Sequence, residues 1–443
     1  MITVFLVKTL QLMLSLSILV AFHELGHFLA ARLFGVRVDR FFLFFDWGRA
    51  LFKYRSKRSG TVYGIGWLPF GGYCSMAGMV DERFLELDEK STPQPYEFRA
   101  KPAWQRLIIM IAGIVFNLLL AIVIYSGIAL HWGDTRLSSA QISSGMSFSP
   151  SAQKAGFRDN DIILSADGKM LDALSNDFIR EVISAREVVV LRKGQEQTIL
   201  MPQDMMQQIM AEGMGFMGIQ IPFIVDSVIA NTPAERAGLQ GGDRLLAVDS
   251  IPVMDATDAQ IIFREQQTEL HTLLLLRSGD TITTTIQPDT TGRIGVQLLS
   301  DIHKIYPTEE IKYSIFESIP AGCRRAINTL KSYVGDMKYV FTKEGAQQMG
   351  GFISIGKLFD HTFDGYRFWS ITALLSVVLA FMNFLPIPML DGGYILFTIW
   401  EIITRRRVSD KMLLKANKIG FVLLLLLLLY ANGNDFFRTL FHF

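Results

Sequence analysis

Four long apolar stretches constrain the fold of this chain more than any other feature. A helix needs about 20 apolar residues to cross the hydrocarbon core of a bilayer, and lipid admits only helices and closed barrels. Half of the residues are hydrophobic, and the apolar runs lie at the two ends of the chain. The first run is too long for a signal peptide and lacks a small-residue cleavage site before its histidines, so we expect it to be retained. We predict a polytopic α-helical membrane protein with four transmembrane helices, at 1–35, 104–130, 368–403 and 419–437.

Charge predicts the orientation of these helices. Arginine and lysine are concentrated in the segments 36–103 and 404–418, and positive charge near the end of a span marks the cytoplasmic side. We therefore expect both loops to be cytoplasmic, and the region 131–367 and both termini to lie on the other side. The formal net charge of +1 argues against nucleic acid as a partner.

An internal repeat organises the middle of the chain. The stretch "SAQKAGFRDNDIILSADGKML" at 151–171 matches "PAERAGLQGGDRLLAVDSIPV" at 233–253, which indicates two tandem modules of mixed α and β structure. Their predicted bounds are 131–220 and 221–305. The shared pattern resembles PDZ domains of bacterial envelope proteases, which bind extended peptides by strand addition. Peptide binding and a spacer or gate role both remain open.

The apolar stretch at the N-terminus contains "HELGH". On a helix, His23 and His27 project from one face, one turn apart, and this spacing lets both imidazoles bind one Zn²⁺. Glu24 lies on an adjacent face, where it can act as a base without being a metal ligand. This is the pattern of zinc hydrolases. Ionisable residues inside a membrane span are costly and need a partner, so we interpret the three residues as a metal site.

A third ligand is expected, because a catalytic zinc has three protein ligands and an open position. The stretch "NFLPIPMLDGGY" at 383–394 interrupts the third apolar run. Prolines break the helix there, and irregular backbone at membrane depth occurs only where it lines protein or a water-filled cavity. Asp391 follows the break directly and is the candidate ligand; a helix cap or a surface charge is the alternative.

These motifs together resemble the site-2 protease family of intramembrane zinc metalloproteases. The resemblance extends over essentially the whole chain and implies one Zn²⁺ per chain, held by His23, His27 and Asp391, with Glu24 as the general base. It also implies that Asn383 positions the substrate. Two positions depart from the family pattern: Ile114 and Gly351 stand where relatives commonly have proline.

The loop at 60–79, "GTVYGIGWLPFGGYCSMAGM", resembles the family's membrane-associated β-structured loop. The resemblance implies a β-hairpin whose exposed strand edge captures the unwound substrate by strand addition, with Gly71, Gly72 and Tyr73 as substrate-binding residues. A cytoplasmic loop without a catalytic role is the alternative. The segment 306–367 has apolar residues at helical spacing, and we expect it to lie along the periplasmic membrane surface. A soluble helix that packs on the two modules is the alternative.

The resemblance implies an inner-membrane protease that cleaves the transmembrane segment of single-span proteins. The implied substrate is an anti-sigma factor already trimmed in the periplasm, with leftover signal peptides as a second implied class. Cleavage of the anti-sigma factor would start an envelope-stress response. The active site would lie toward the cytoplasmic side, with the PDZ modules excluding bulky substrates. Two alternatives remain: a silent membrane PDZ scaffold with a structural zinc, and a metal-ion transporter with ligands strung along its spans.

Overall fold

A computed structural model describes residues 2–79, 92–175, 177–212, 215–340 and 342–441. Part of the predicted cytoplasmic loop, at 80–91, therefore lies outside the described residues. The chain divides into two compact units. One is formed by the two ends, Met1–Gly133 with Lys312–Phe443, and the other by the inserted segment Asp134–Ile311.

The N-terminal part of the first unit contains two long helices joined by a β-hairpin. Helix α1 spans Ile2–Leu33 and helix α2 spans Ala103–Trp132. The hairpin strands are β1, Val38–Arg55, and β2, Val62–Met76. Strand β1 is bent, so that Phe41 pairs with Tyr63 on one side and with Cys74 on the other. The end of β2 is therefore an edge strand, with no further strand beside it in the described part of the chain.

The inserted unit contains two modules, each with its own apolar core. The elements of the first module are β3 (Asp134–Arg136), β4 (Met146–Phe148), α3 (Pro150–Ala155), β5 (Ile162–Ala166), α4 (Phe178–Ser184), β6 (Glu187–Arg192), β7 (Gln195–Leu200), α5 (Met205–Glu212) and β8 (Met217–Ile219). The remaining elements of the unit are β9 (Val225–Val228), α6 (Pro233–Arg236), β10 (Arg244–Val248), β11 (Ile251–Pro252), α7 (Ala256–Glu265), β12 (His271–Arg277), β13 (Asp280–Ile286), β14 (Val296–Leu298), α8 (Ile302–Ile305) and β15 (Glu309–Ile311). The first module has a three-stranded sheet β5-β6-β7 and the pair β4-β8; the second has a four-stranded sheet β11-β10-β12-β13 and the pair β9-β14.

The two modules repeat the same ion pair, in which a buried aspartate binds a partly exposed arginine. Asp161 accepts two hydrogen bonds from Arg192, at 2.7 and 2.6 Å, and Asp243 accepts two from Arg277, at 2.6 and 2.7 Å. In both modules the arginine also donates to a backbone carbonyl in the turn before the aspartate. The sequence repeat therefore corresponds to a repeated structure.

The C-terminal part of the first unit is helical. The third apolar run, predicted as a single span at 368–403, forms two helices separated at its prolines. The segment 404–418 was predicted as a loop. Only its first part is a loop, because the last helix begins at Asp410. The helices are α9 (Ile315–Val340), α10 (Lys343–Gln348), α11 (Phe352–Lys357), α12 (Gly365–Phe384), α13 (Asp391–Thr404) and α14 (Asp410–Phe441).

Among the described residues, four helices are long and apolar enough to cross a membrane, which is the number that the sequence predicted. They are the segments Thr3–Leu33, Ala103–Trp132, Gly365–Phe384 and Lys411–Phe437. The amphipathic helix α9 packs against α2, where Ala326 is fully buried in the cluster formed by α1, α2 and α12. Its location on a membrane surface stays a prediction.

Helices α1 and α2 approach each other closely beside the histidine motif. A Cβ atom at Gly26 would lie 2.5 Å from the backbone oxygen of Ala112, so glycine is required for this approach. Leu19, Ala121 and Val377 are buried together where α1, α2 and α12 meet. This packing brings together three of the helices from which the site below is built.

Candidate metal centre

The two histidines of α1 meet as their spacing predicts. Their Nε2 atoms lie 3.3 Å apart, and the ring centroids are 4.8 Å apart with the planes nearly perpendicular. Both residues are buried. Residues four apart on a helix are neighbours on one face, and the perpendicular arrangement lets both Nε2 atoms face the same point.

Asp391 completes the cluster from the other end of the chain. Its Oδ2 lies 3.2 Å from the Nε2 of His23 and 3.2 Å from the Nε2 of His27. Helix α12 ends at Phe384, because the prolines that follow lack a backbone N–H and cannot continue it, and α13 begins at Asp391 itself. A side chain at Gly392 would overlap the carbonyl of Leu385. The two glycines therefore allow the loop to fold tightly against the start of α13.

The geometry of these three atoms fits a zinc ion. They form a nearly equilateral triangle with edges of 3.2–3.3 Å. Ligands about 2.0–2.1 Å from a tetrahedral zinc lie roughly 3.3–3.4 Å apart. Two imidazoles and one carboxylate are ligands that zinc accepts, and the buried Asp391 Oδ2 has no hydrogen-bond partner in the described part of the chain. Within the same part, no other group of histidine, cysteine, aspartate or glutamate residues has metal-binding geometry.

Helix α2 contacts both imidazoles at their Nδ1 atoms. The Nδ1 of His27 lies 2.8 Å from the carbonyl oxygen of Ile109, and the Nδ1 of His23 lies 3.2 Å from the amide of Asn117. Gly113 lies between these two contacts, and a Cβ atom there would lie 2.7 Å from His23 Cε1. Partners on the second ring nitrogen fix the orientation of metal-binding histidines, so α2 presets the direction of both rings.

Glu24 lies beside the cluster and outside the triangle. Its carboxylate faces the backbone N–H of Cys74, in the edge segment of β2. The hairpin also contacts α1 one turn earlier, where a Cβ atom at Gly72 would lie 2.7 Å from Cγ1 of Val20. The hairpin edge therefore reaches the candidate base.

Asn383 also lies at the cluster. It is buried in the last turn of α12, and its Nδ2 is 3.4 Å from the Nε2 of His23. The amide is thus within reach of a group bound at the three ligand atoms. Its role as a substrate-contacting residue stays a prediction.

The other predicted substrate residues lie in the hairpin. Tyr73 is buried, stacks on the ring of Phe42 at 5.3 Å, and donates a hydrogen bond to Asp46. Gly71 has a φ of 129°, which side chains rarely adopt. Tyr73 therefore supports the hairpin with its side chain, and a contact of these residues with substrate would use the backbone of the strand.

Three supporting groups were not predicted from the sequence. They are the backbone carbonyl of Ile109, the backbone N–H of Cys74 and the side chain of Asn117. Backbone groups leave no sequence signal. Asn117 did leave one, because it is a polar residue four positions after Gly113 in a strongly apolar helix, where a buried polar group needs a partner.

The comparisons with known proteins agree with this geometry. The profile of Peptidase family M50 matches residues 11–427. A "Putative zinc metalloprotease" of Treponema pallidum is 31% identical, over 96% of this chain and 98% of its own length. The "Regulator of sigma E protease" of Haemophilus influenzae is 29% identical, over 96% and 97%. The "Regulator of sigma-E protease RseP" of Salmonella typhimurium is 29% identical, over 96% and 97%.

These matches favour neither a silent scaffold nor a metal-ion transporter. The family match includes both halves of the cluster, the histidine motif in the first span and the aspartate after the third. The named relatives match along nearly their whole length, so the likeness is not limited to a shared module. The chain belongs to Peptidase family M50 and is a zinc-dependent intramembrane metalloprotease.

Proposed function

We propose that His23, His27 and Asp391 hold the zinc and that Glu24 is the general base for peptide hydrolysis in the membrane. The observation that carries this proposal is the triangle of three ligand atoms, with a carboxylate beside it that is not part of it. When bound, zinc supplies Lewis acidity that polarises a carbonyl and acidifies water. Glu24 takes the proton from the attacking water and passes it to the leaving amine.

Two groups of the chain orient the reaction. The N–H of Cys74 faces the Glu24 carboxylate and would steady it beside the attacking water. The Asn383 amide, 3.4 Å from the Nε2 of His23, donates a hydrogen bond to the substrate backbone. Orientation of this kind counts strongly in catalysis, since a displacement of 1 Å can cost about 100-fold in rate.

The hairpin provides a surface for unwound substrate. A helical transmembrane segment has its peptide bonds hydrogen-bonded within the helix, so it must open before cleavage. The edge segment of β2, which contains Gly71, Gly72 and Tyr73, can pair with the opened segment through its backbone. The contact between this edge and Glu24 brings a strand bound there next to the base.

The substrate is proposed to be the transmembrane segment of a single-span protein of the anti-sigma factor type. The names of two relatives support this choice, since both are described as regulators of sigma E. Membrane lipid surrounds the four spans as a second partner. The charge of the segments 36–103 and 404–418 supports an inner-membrane location with both termini periplasmic and the active site toward the cytoplasmic side.

The two modules of the inserted unit are proposed to be periplasmic PDZ domains, at 131–220 and 221–305. Their duplicated aspartate–arginine pairs and the short strand pairs β4-β8 and β9-β14 support this identity. In each module, β8 or β14 has one neighbour among the described strands, so a peptide can add at its other edge. The modules then either bind a peptide end or exclude substrates with bulky periplasmic domains.

The test is cleavage of a model single-span substrate in proteoliposomes by wild type and by Glu24→Gln. A matched control is Glu265→Gln, the same change at an exposed residue of the inserted unit. We expect wild type and the control to cleave, and Glu24→Gln to hold one zinc while losing at least about 100-fold in rate. Cleavage by Glu24→Gln at the wild-type rate would show that Glu24 is not the base.

A further inference from the structure

Both imidazoles of the cluster rest on one face of α2. Ile109, Gly113 and Asn117 follow each other at intervals of four residues, so they are successive neighbours along that face. The carbonyl of Ile109 contacts His27, the side chain of Asn117 contacts His23, and Gly113 leaves room between them. His27 thus has a backbone acceptor for its Nδ1–H, and His23 needs an equivalent group.

Asn117 is fully buried in an apolar helix. A buried carboxamide is costly unless it forms hydrogen bonds, and no such partner of its Oδ1 occurs in the part of the chain that the structure describes. The hydroxyl of Ser376 donates a hydrogen bond to the backbone oxygen of Asn117, at 2.7 Å. The side chain of Asn117 is therefore available to the imidazole of His23. Helix packing alone therefore does not account for an asparagine here.

The tautomer of His23 decides which end of the amide faces the ring. With Nδ2 donating to Nδ1, the ring proton of a neutral His23 would be on Nε2. That atom faces His27 and Asp391, and a metal ligand needs its lone pair there. The nitrogen and oxygen ends of a carboxamide have nearly the same shape. Turned by 180°, Asn117 accepts the Nδ1–H of His23 through its oxygen, and Nε2 is left with a lone pair directed at the metal position.

We propose that Asn117 is a positioning residue that accepts the Nδ1–H of His23 and so selects the tautomer that binds zinc. The inference rests on the zinc site proposed above. It assigns to the side chain of Asn117 the role that the backbone carbonyl of Ile109 has for His27. Loss of such a supporting partner typically lowers metal affinity by about 10–100-fold.

The experiment measures zinc affinity of the full-length protein in detergent, by competition with a chelator of known affinity. Asn117→Leu and Asn117→Ala both remove the acceptor, but they differ in volume, and Asn117→Asp keeps an acceptor of the same shape. Ser376→Ala is the matched control, because it perturbs the packing at the same residue without touching the imidazole. His27→Ala serves as the reference for a lost ligand, and thermal unfolding reports whether each variant is folded.

We expect a loss of about 10–100-fold in zinc affinity for Asn117→Leu and Asn117→Ala, and wild-type affinity within about threefold for Asn117→Asp and Ser376→Ala. A packing role predicts the reverse order, with leucine tolerated better than a buried aspartate. Wild-type affinity in both variants that lack the acceptor, or a larger loss for aspartate than for leucine, would overturn the inference. If His27→Ala binds zinc as tightly as wild type, the proposed zinc site is wrong, and the inference that rests on it is wrong as well.

Discussion

Gly113 allows the sharpest test of the way α2 supports the cluster. A Cβ atom added there would lie 2.4 Å from Nε2 of His27, 2.7 Å from Cε1 of His23 and 2.8 Å from Cε1 of His27. Ordinary contacts between carbon atoms are about 3.5–4.0 Å, so Gly113→Ala forces the rings or the helix to move by about 1 Å. The ring positions set the ligand triangle, and a supporting change of this kind lowers metal affinity by about 10–100-fold, or about 1.4–2.8 kcal/mol.

Gly127→Ala is the matched control for this change. It is the same substitution in the same helix, and no atom lies within 4 Å of the added Cβ position. The assay is zinc retained per chain during dialysis against increasing chelator, together with cleavage of the single-span substrate. We expect Gly113→Ala to lose zinc at about 10–100-fold lower chelator activity, and Gly127→Ala to match wild type. Equal zinc retention by the two variants would refute the argument that α2 sets the ring positions.

Three further predictions concern packing, capping and pH. Gly26→Ala places a Cβ atom against the backbone of α2 and should lower stability by about 1–3 kcal/mol; an unchanged thermal midpoint would contradict this. Asp435 accepts hydrogen bonds from backbone N–H groups at the start of α11, so Asp435→Ala should speed amide exchange there by about fivefold, and unchanged exchange would show that the cap is dispensable. Burial raises the pKa of Asp249, but the bonds from the Thr272 N–H and from His271 outweigh it and lower the pKa below its usual 3.8. The second module should therefore lose stability as the pH falls below about 4, and Asp249→Asn should flatten this loss; an equal pH dependence of exchange in both proteins would contradict it.

The clustering of His23, His27 and Asp391 was largely predictable from local patterns. The spacing of His23 and His27 requires only a helix, and Asp391 was found because prolines inside an apolar run require a reason. The support for these residues was not predictable. It comes from three positions on α2: the carbonyl of Ile109, the missing side chain of Gly113 and the amide of Asn117. Such contacts depend on how two helices pack, and no local pattern encodes that packing.

The bounds of the spans show a similar limit. The proline pair predicted a break in the third apolar run, but the sequence assigned the whole run to one span, whereas α12 ends before the break and α13 starts a new helix. The last helix begins at Asp410, earlier than predicted. Hydropathy predicts only the apolar part of a helix. Helix α14 also includes the more polar stretch "DKMLLKANK", which is rich in good helix formers.

The inserted unit shows what a repeat can and cannot predict. The repeated aspartates, Asp161 and Asp243, were visible in the sequence because they stand at matching positions. Their partners, Arg192 and Arg277, lie 31 and 34 residues further along the chain. Because the spacing differs between the two modules, a comparison of the two repeats does not align the arginines. Each arginine lies next to its aspartate only in the folded sheet.

The most direct test of the account is X-ray absorption at the zinc edge of the purified, full-length protein, with zinc and protein quantified in the same sample. We predict one zinc per chain with nitrogen and oxygen scatterers at about 2.0–2.2 Å, two of them from imidazole rings, and no sulfur. Asp391→Ala should lose an oxygen neighbour or the metal itself. A sulfur scatterer at about 2.3 Å, or zinc binding that is unchanged in Asp391→Ala, would contradict the assignment of His23, His27 and Asp391 as the zinc ligands.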